Sequence, residues 1–126
     1  MMWTVTLVAM GGALGSVLRF LWGLGVVRLT GPSDFPFAIV SVNILGSFLM
    51  GVFVVTASVR GLTPMSPFVM TGLLGGFTTF SAFSLETITL IERGHFGLAV
   101  LYIGISVGVS VAALALGIWL ARGIFA

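Results

Sequence analysis

The chain contains no cysteine, a single histidine, and only 6% charged residues among its 126 positions. Without cysteine there is no disulfide framework and no thiolate chemistry. A soluble domain carries about 25% charged residues, so this chain cannot cover a water-facing surface, and an ordinary soluble enzyme or a disordered regulator is excluded. Lysine is absent too, and the cations are five separate arginines: Arg19, Arg28, Arg60, Arg93 and Arg122. They form no run or patch, so the basic balance does not indicate nucleic acid. One histidine and no cysteine leave no metal-ligand cluster. No histidine or cysteine sits in an apolar run beside a serine, and no phosphate-binding glycine loop appears, so enzymatic catalysis is not expected.

What is present is apolar. Hydrophobic residues make up 59% of the chain, and mean hydropathy is +1.28. A membrane-spanning helix needs about 20 apolar residues, so the length accommodates four spans in a single domain with short loops. The runs fall at about 3–27, 37–57, 68–91 and 96–120. Residues 28–36 and 58–67 read as loops by their Gly, Pro, Ser and Asp content, and Glu92-Arg93-Gly94-His95 as a tight connection. The stretch from Met1 to Gly15 has no positive charge, unlike a signal peptide, and is expected to be a mature helix. With four spans, Arg60 and Arg122 fall on one side and Arg28 and Arg93 on the other, so the positive-inside rule sets no orientation. Insertion in both orientations would permit an antiparallel homodimer.

The third run is a poor helix at its centre: Gly75 and Gly76 are followed by Phe77, Thr78 and Thr79. An interruption there is expected, tolerated where protein or water covers the backbone; the alternative is a glycine packing face. Gly11 with Gly15 and Gly72 with Gly76 have close-packing spacing, as do Gly104 and Gly108. Each polar residue within a span asks for a partner. Asn43, with Ser47 one turn on, is suited either to donate hydrogen bonds to an anion or to fasten two helices. Tyr102, Ser106 and Ser110 are spaced by four and share one helix face. That stripe either lines a polar path or satisfies itself on backbone carbonyls one turn back. Phe80 and Phe83 share a face and present positive ring edges, or serve packing alone. Glu86 is a proton site, a gate or an interfacial anchor, and Arg19 is a possible partner for it.

The segment from Gly72 to Glu86, GLLGGFTTFSAFSLE, resembles the signature of the Fluc (CrcB) fluoride channels. The stretch from Gly11 to Phe20, GGALGSVLRF, is similar to that family's first-helix motif, and Val42 to Gly51, VNILGSFLMG, to its second. The resemblance covers nearly the whole chain. It implies an all-α membrane protein whose four helices, the third broken, assemble as an antiparallel dual-topology homodimer with two fluoride pores. It also implies a structural sodium ion at the dimer centre, held by the carbonyls of Gly75 and Thr78. Phe80, Phe83 and Ser81 of the TTFSxF-type segment, Asn43, Tyr102, Ser106, Ser110 and Glu86 match pore positions, and Arg19 matches an aqueous vestibule. The family often has Thr where this chain has Ala82, so one pore hydroxyl is missing here. The expected activity is passive fluoride export across a bacterial inner membrane, with fluoride, lipid and a second copy of the chain as partners. The competing expectation is a proton-coupled small-ion or small-multidrug-type transporter; the multidrug type is disfavoured because the first span carries Arg19 and no acid, and a proton-coupled fluoride transporter would need Glu86 to titrate. A structural subunit without transport would explain the glycine faces but not the interruption or the aligned hydroxyls.

Overall fold

The computed structural model describes residues 1–125, and all regular structure among them is helical. Helix α1 is Met2–Thr30 and α2 is Phe37–Arg60. After a short turn at Thr63–Met65, helix α3 occupies residues 67–77, its first part a widened π-type coil over Pro67–Leu74. Helix α4 is Phe80–Glu92, and α5 spans Phe96–Phe125 with a widened segment at Ile105–Val109. Four helical stretches are long and apolar enough to cross a membrane: Met2–Thr30, Phe37–Arg60, Thr63–Glu92 and Phe96–Phe125. At 1.5 Å per residue even the 24-residue α2 reaches about 36 Å, beyond the ~30 Å hydrocarbon layer. The helices outrun the charge-free stretches because Arg28 and Arg60 occupy last turns, where a cation favours the helix C-terminus. Gly31 and Gly61 then end those helices with φ of 71° and 68°, a region open to glycine.

Two glycine seams bring the helices together. A side chain at Gly11 or Gly15 would strike the backbone of residues 68–77, and Gly72 and Gly76 face back onto α1. A Cβ on Gly72 would lie 2.8 Å from the Val8 carbonyl oxygen, and one on Gly76 2.8 Å from that of Gly12. The second seam joins α2 to α5, where Gly51 faces the Leu114 carbonyl and Gly117 that of Phe48. With little hydrophobic drive between helices in lipid, such backbone approach supplies the dispersion contacts that hold them. Gly104 and Gly108, by contrast, face open space within the single chain. Most large apolar side chains point outward, as expected when lipid is the solvent. The buried cluster of Val40, Leu90, Ala99 and Tyr102 lies where α2, α4 and α5 meet.

Polar ties between spans are few. Trp22 Nε1 donates to Ser41 Oγ at 2.8 Å, linking α1 to α2, and the same serine donates to the Ala38 carbonyl. Trp22→Phe is expected to lower stability by about 1 kcal/mol, the net worth of one hydrogen bond, with the fold retained. Unfolding in mixed detergent micelles measures this.

Candidate functional site

The third span is interrupted at the two threonines. Thr78 (φ −88°, ψ 162°) and Thr79 (φ −152°, ψ 125°) are extended between α3 and α4. Gly75 and Gly76 weaken the preceding turn, and the β-branched threonines favour extended backbone. Buried backbone groups must still be satisfied, and each threonine supplies part of the answer. Thr78 Oγ1 donates to the Leu74 carbonyl at 2.9 Å. Thr79 Oγ1 caps α4 by accepting the Ala82 N–H at 3.1 Å. The remaining partner comes from α2, 36 residues away: Asn43 Oδ1 accepts the Thr79 N–H at 2.7 Å, and Asn43 Nδ2 donates to the Thr79 carbonyl at 2.9 Å. Gly46, one turn on from Asn43, leaves room for the Thr78 methyl group. Asn43 therefore fastens two helices, and its amide keeps one N–H beyond the bond to Thr79.

A cavity of about 260 Å³ opens beside the interruption. Asn43, Thr78, Phe80, Phe83, Ser106 and Ser110, six of the residues singled out in the sequence, line it together with Ser47, Thr79, Val107 and Val111. None of these is charged. Phe80 and Phe83 lie 5.4 Å apart between ring centroids. The Phe83 ring is 5.2 Å from that of Tyr102, and Tyr102 meets Phe35 edge-on at 5.7 Å. Tyr102 is fully buried behind Phe83 rather than on the cavity wall.

The hydroxyls on α5 behave unlike those elsewhere. Thr56, Ser84, Thr87 and Thr89 each donate to the carbonyl four residues back. The hydroxyls of Tyr102, Ser106 and Ser110 are buried and have no hydrogen-bond partner among the described residues. Burying a hydroxyl unpaired costs roughly 1–3 kcal/mol, and two of these three, Ser106 and Ser110, lie on the cavity wall.

Other candidates lie apart. The Ser81 hydroxyl turns toward Thr79 Oγ1 at 3.3 Å, and Ser81 is exposed outside the cavity wall. Glu86 lines a second cavity of about 420 Å³ with Thr30, Phe35 and Phe37, at the membrane side that holds the 31–36 loop. Through Phe35, Tyr102 and Phe83 the two cavities are joined by a ladder of aromatic rings. Arg19 is half-buried on α1 and is not paired with Glu86. Among the described residues Asp34 forms an ion pair with Arg93 at 3.8 Å and lies 3.4 Å from His95 Nε2, joining the two loops on that side. The roles of Thr79 and Phe35 went unread in the sequence. Thr79 left a trace, a threonine three residues before the amide it caps; Phe35, in a loop, left none.

The fold and site define a class, a small helical membrane protein with an uncharged hydroxyl- and phenylalanine-lined cavity at an interrupted helix. Residues 6–118 match the family described as CrcB-like protein, Camphor Resistance (CrcB), and the chain belongs to that family. It is 63% identical over 124 residues to the fluoride-specific ion channel FluC of Ruegeria sp. (strain TM1040), covering 98% of both chains. It is 62% identical over 123 residues to the protein of that name from Roseobacter denitrificans, covering 97% of this chain and 98% of the relative. The Agrobacterium fabrum protein of the same name is 48% identical over 123 residues, covering 96% and 98%.

Proposed function

We propose that this chain is a fluoride-specific ion channel, a transport protein rather than an enzyme, that passively exports fluoride across a bacterial inner membrane. The observation that carries the reading is the pair of unpartnered hydroxyls on α5, Ser106 and Ser110, on the wall of an uncharged cavity. Fluoride is small and strongly hydrated, so a narrow pathway must replace its water hydrogen bonds. Ser106 and Ser110 offer hydroxyl donors, Asn43 its remaining N–H, and Phe80 and Phe83 positive ring edges. A fixed cation would hold the ion too firmly, and conduction requires release. Tyr102 supplies a further hydroxyl along the same helix face, and Ser81 one at the start of α4. Glu86 and Arg19 belong to the approaches in this reading, Glu86 at the mouth beside Phe35 and Arg19 in the vestibule. Export needs no energy coupling. Neutral hydrogen fluoride enters through lipid and ionises inside, and the membrane potential drives the anion out.

The functional unit we infer is an antiparallel dual-topology homodimer. In its support, Phe80 is 76% exposed in the single chain although it stands at the cavity, and Gly104 and Gly108 offer a close-packing face with nothing against it among the described residues. The even split of arginines permits both orientations. A structural sodium ion at the dimer centre fits the donors present. The Thr79 N–H, which would close a helical bond onto the Gly75 carbonyl, goes to Asn43 instead. The Ala82 N–H, which would close onto Thr78, goes to the Thr79 hydroxyl. The carbonyl oxygens of Gly75 and Thr78 are thus released from their helical partners, and they are hard ligands for a hard cation. Held by the Gly75 and Thr78 carbonyls, such an ion would supply positive charge beside the interruption.

Fluoride and chloride efflux from liposomes under a potassium–valinomycin clamp tests the reading. Fast electrogenic fluoride efflux without chloride efflux is expected; equal efflux of both anions, or none, contradicts it. Asn43→Asp, which replaces an N–H donor by an acceptor, is expected to cut fluoride efflux at least about tenfold, since hydrogen bonds to a charged group contribute about 1.5–3 kcal/mol. Unchanged efflux would remove Asn43 from the pathway.

A further inference from the structure

Asn43 and Thr79 meet through both polar atoms of the carboxamide, at 2.7 and 2.9 Å, so the side chain substitutes for a neighbouring strand. Thr79 is only 8% exposed, and a buried N–H and C=O both call for partners. The N–H has two candidate acceptors. One is Asn43 Oδ1, which requires the extended backbone observed. The other is the Gly75 carbonyl, which would restore a continuous helix through the third span and occupy that oxygen. We propose that Asn43 is a positioning residue that holds the third span open, keeping the Gly75 carbonyl available to a cation. The second half of this statement rests on the sodium reading above; the first rests on the two hydrogen bonds alone. The same face of α2 supports the arrangement, because Gly46 seats the Thr78 methyl beside the interruption. Thr79 adds the local part by capping α4 with its hydroxyl, which leaves the Thr78 carbonyl free. An asparagine presents donor and acceptor together and so pairs both Thr79 groups, whereas an aspartate would keep only the acceptor for the Thr79 N–H.

The test follows the Thr78 and Thr79 amides by NMR in threonine-labelled full-length protein in micelles, during hydrogen exchange and during titration of sodium chloride against N-methylglucamine chloride. Asn43→Leu keeps the volume and removes both bonds. It is expected to speed exchange at Thr79 at least tenfold, or to move the Thr78 and Thr79 resonances to helical shifts, and to raise the sodium midpoint at least tenfold. Asn43→Asp keeps an acceptor for the Thr79 N–H, and its Thr79 exchange is expected to stay within about threefold of the parent. Unchanged Thr79 exchange and shifts in Asn43→Leu would overturn the proposal, even if fluoride flux were lost. Should Asn43→Leu fail to fold, Asn43→Asp decides: tenfold faster exchange at Thr79 overturns the proposal, and retained protection supports it. If the parent protein shows no saturable response to sodium, the sodium reading fails on its own, and Thr79 exchange still decides whether Asn43 holds the interruption.

Discussion

Removing the two serine hydroxyls of α5 together, Ser106→Ala with Ser110→Ala, is expected to leave the fold as stable as before or more so and to cut fluoride efflux by one to two orders of magnitude. The two halves of this result have one cause. Both hydroxyls are buried without a partner among the described residues, so the folded chain bears their desolvation and loses nothing when they go. A dehydrated fluoride passing the cavity loses two donors, each contributing about 1.5–3 kcal/mol against a charged acceptor. Some of that is recovered from water or neighbouring groups, which sets the estimate below the roughly two to four orders of magnitude that full additivity would give. Thr56→Val is the matched control. Its hydroxyl already donates to the Val52 carbonyl at 2.8 Å, outside the cavity, and efflux is expected to stay unchanged. Thermal unfolding in detergent and ion-selective electrode recordings of efflux check the two arms. A destabilised double variant would mean that these hydroxyls hold the helices together instead.

The second large effect concerns assembly. Gly15→Val is expected to prevent recovery of folded protein. A Cβ at this position would lie on the Leu73 carbonyl oxygen and 2.9 Å from the Phe77 amide. Both are backbone atoms, in the stretch that leads into the interruption, so neither yields as a flexible side chain would. Overpacking in a filled interior typically costs about 1–3 kcal/mol, and a backbone collision is expected to exceed that range. Gly23→Ala, on the same helix but with no atom near its Cβ site, is expected to express and elute like the parent. Size-exclusion chromatography after detergent extraction distinguishes the two. Normal elution of Gly15→Val would mean that α1 and α3 are held by something other than this seam.

Much of the architecture was legible in the sequence because lipid simplifies the code. Charge-free runs of the right length mark spans, and Gly75-Gly76 followed by Thr78-Thr79 marks a helix under strain. The stripe of Tyr102, Ser106 and Ser110 was equally readable as a shared face. Whether those serines bonded back onto their own helix was not, because that depends on the widened backbone at Ile105–Val109, which no residue pattern announced. Asn43 left two readings open, an anion donor or a fastener. The partner that engages it is a backbone group 36 residues away, and spacing along one helix carries no information about it. The placing of Glu86 beside Phe35 and apart from Arg19 was hidden for a related reason. It depends on how the 31–36 loop folds beside Glu86, where no periodicity operates. The glycine seams divide similarly: the close-packing spacing of Gly11 with Gly15 and of Gly72 with Gly76 was legible, whereas the meeting of these two pairs, like that of Gly51 with Leu114, required knowledge of which helices are neighbours.

The measurement that bears most directly on passive fluoride conduction is the reversal potential of the purified protein in a planar bilayer, with fluoride and proton gradients set independently. Conduction through an uncharged, donor-lined pathway predicts reversal at the fluoride Nernst potential, unmoved when a pH gradient is imposed in either direction at constant fluoride ion activity. A reversal potential that follows the proton gradient would contradict the account and make the protein a coupled transporter, with Glu86 the titrating group to replace.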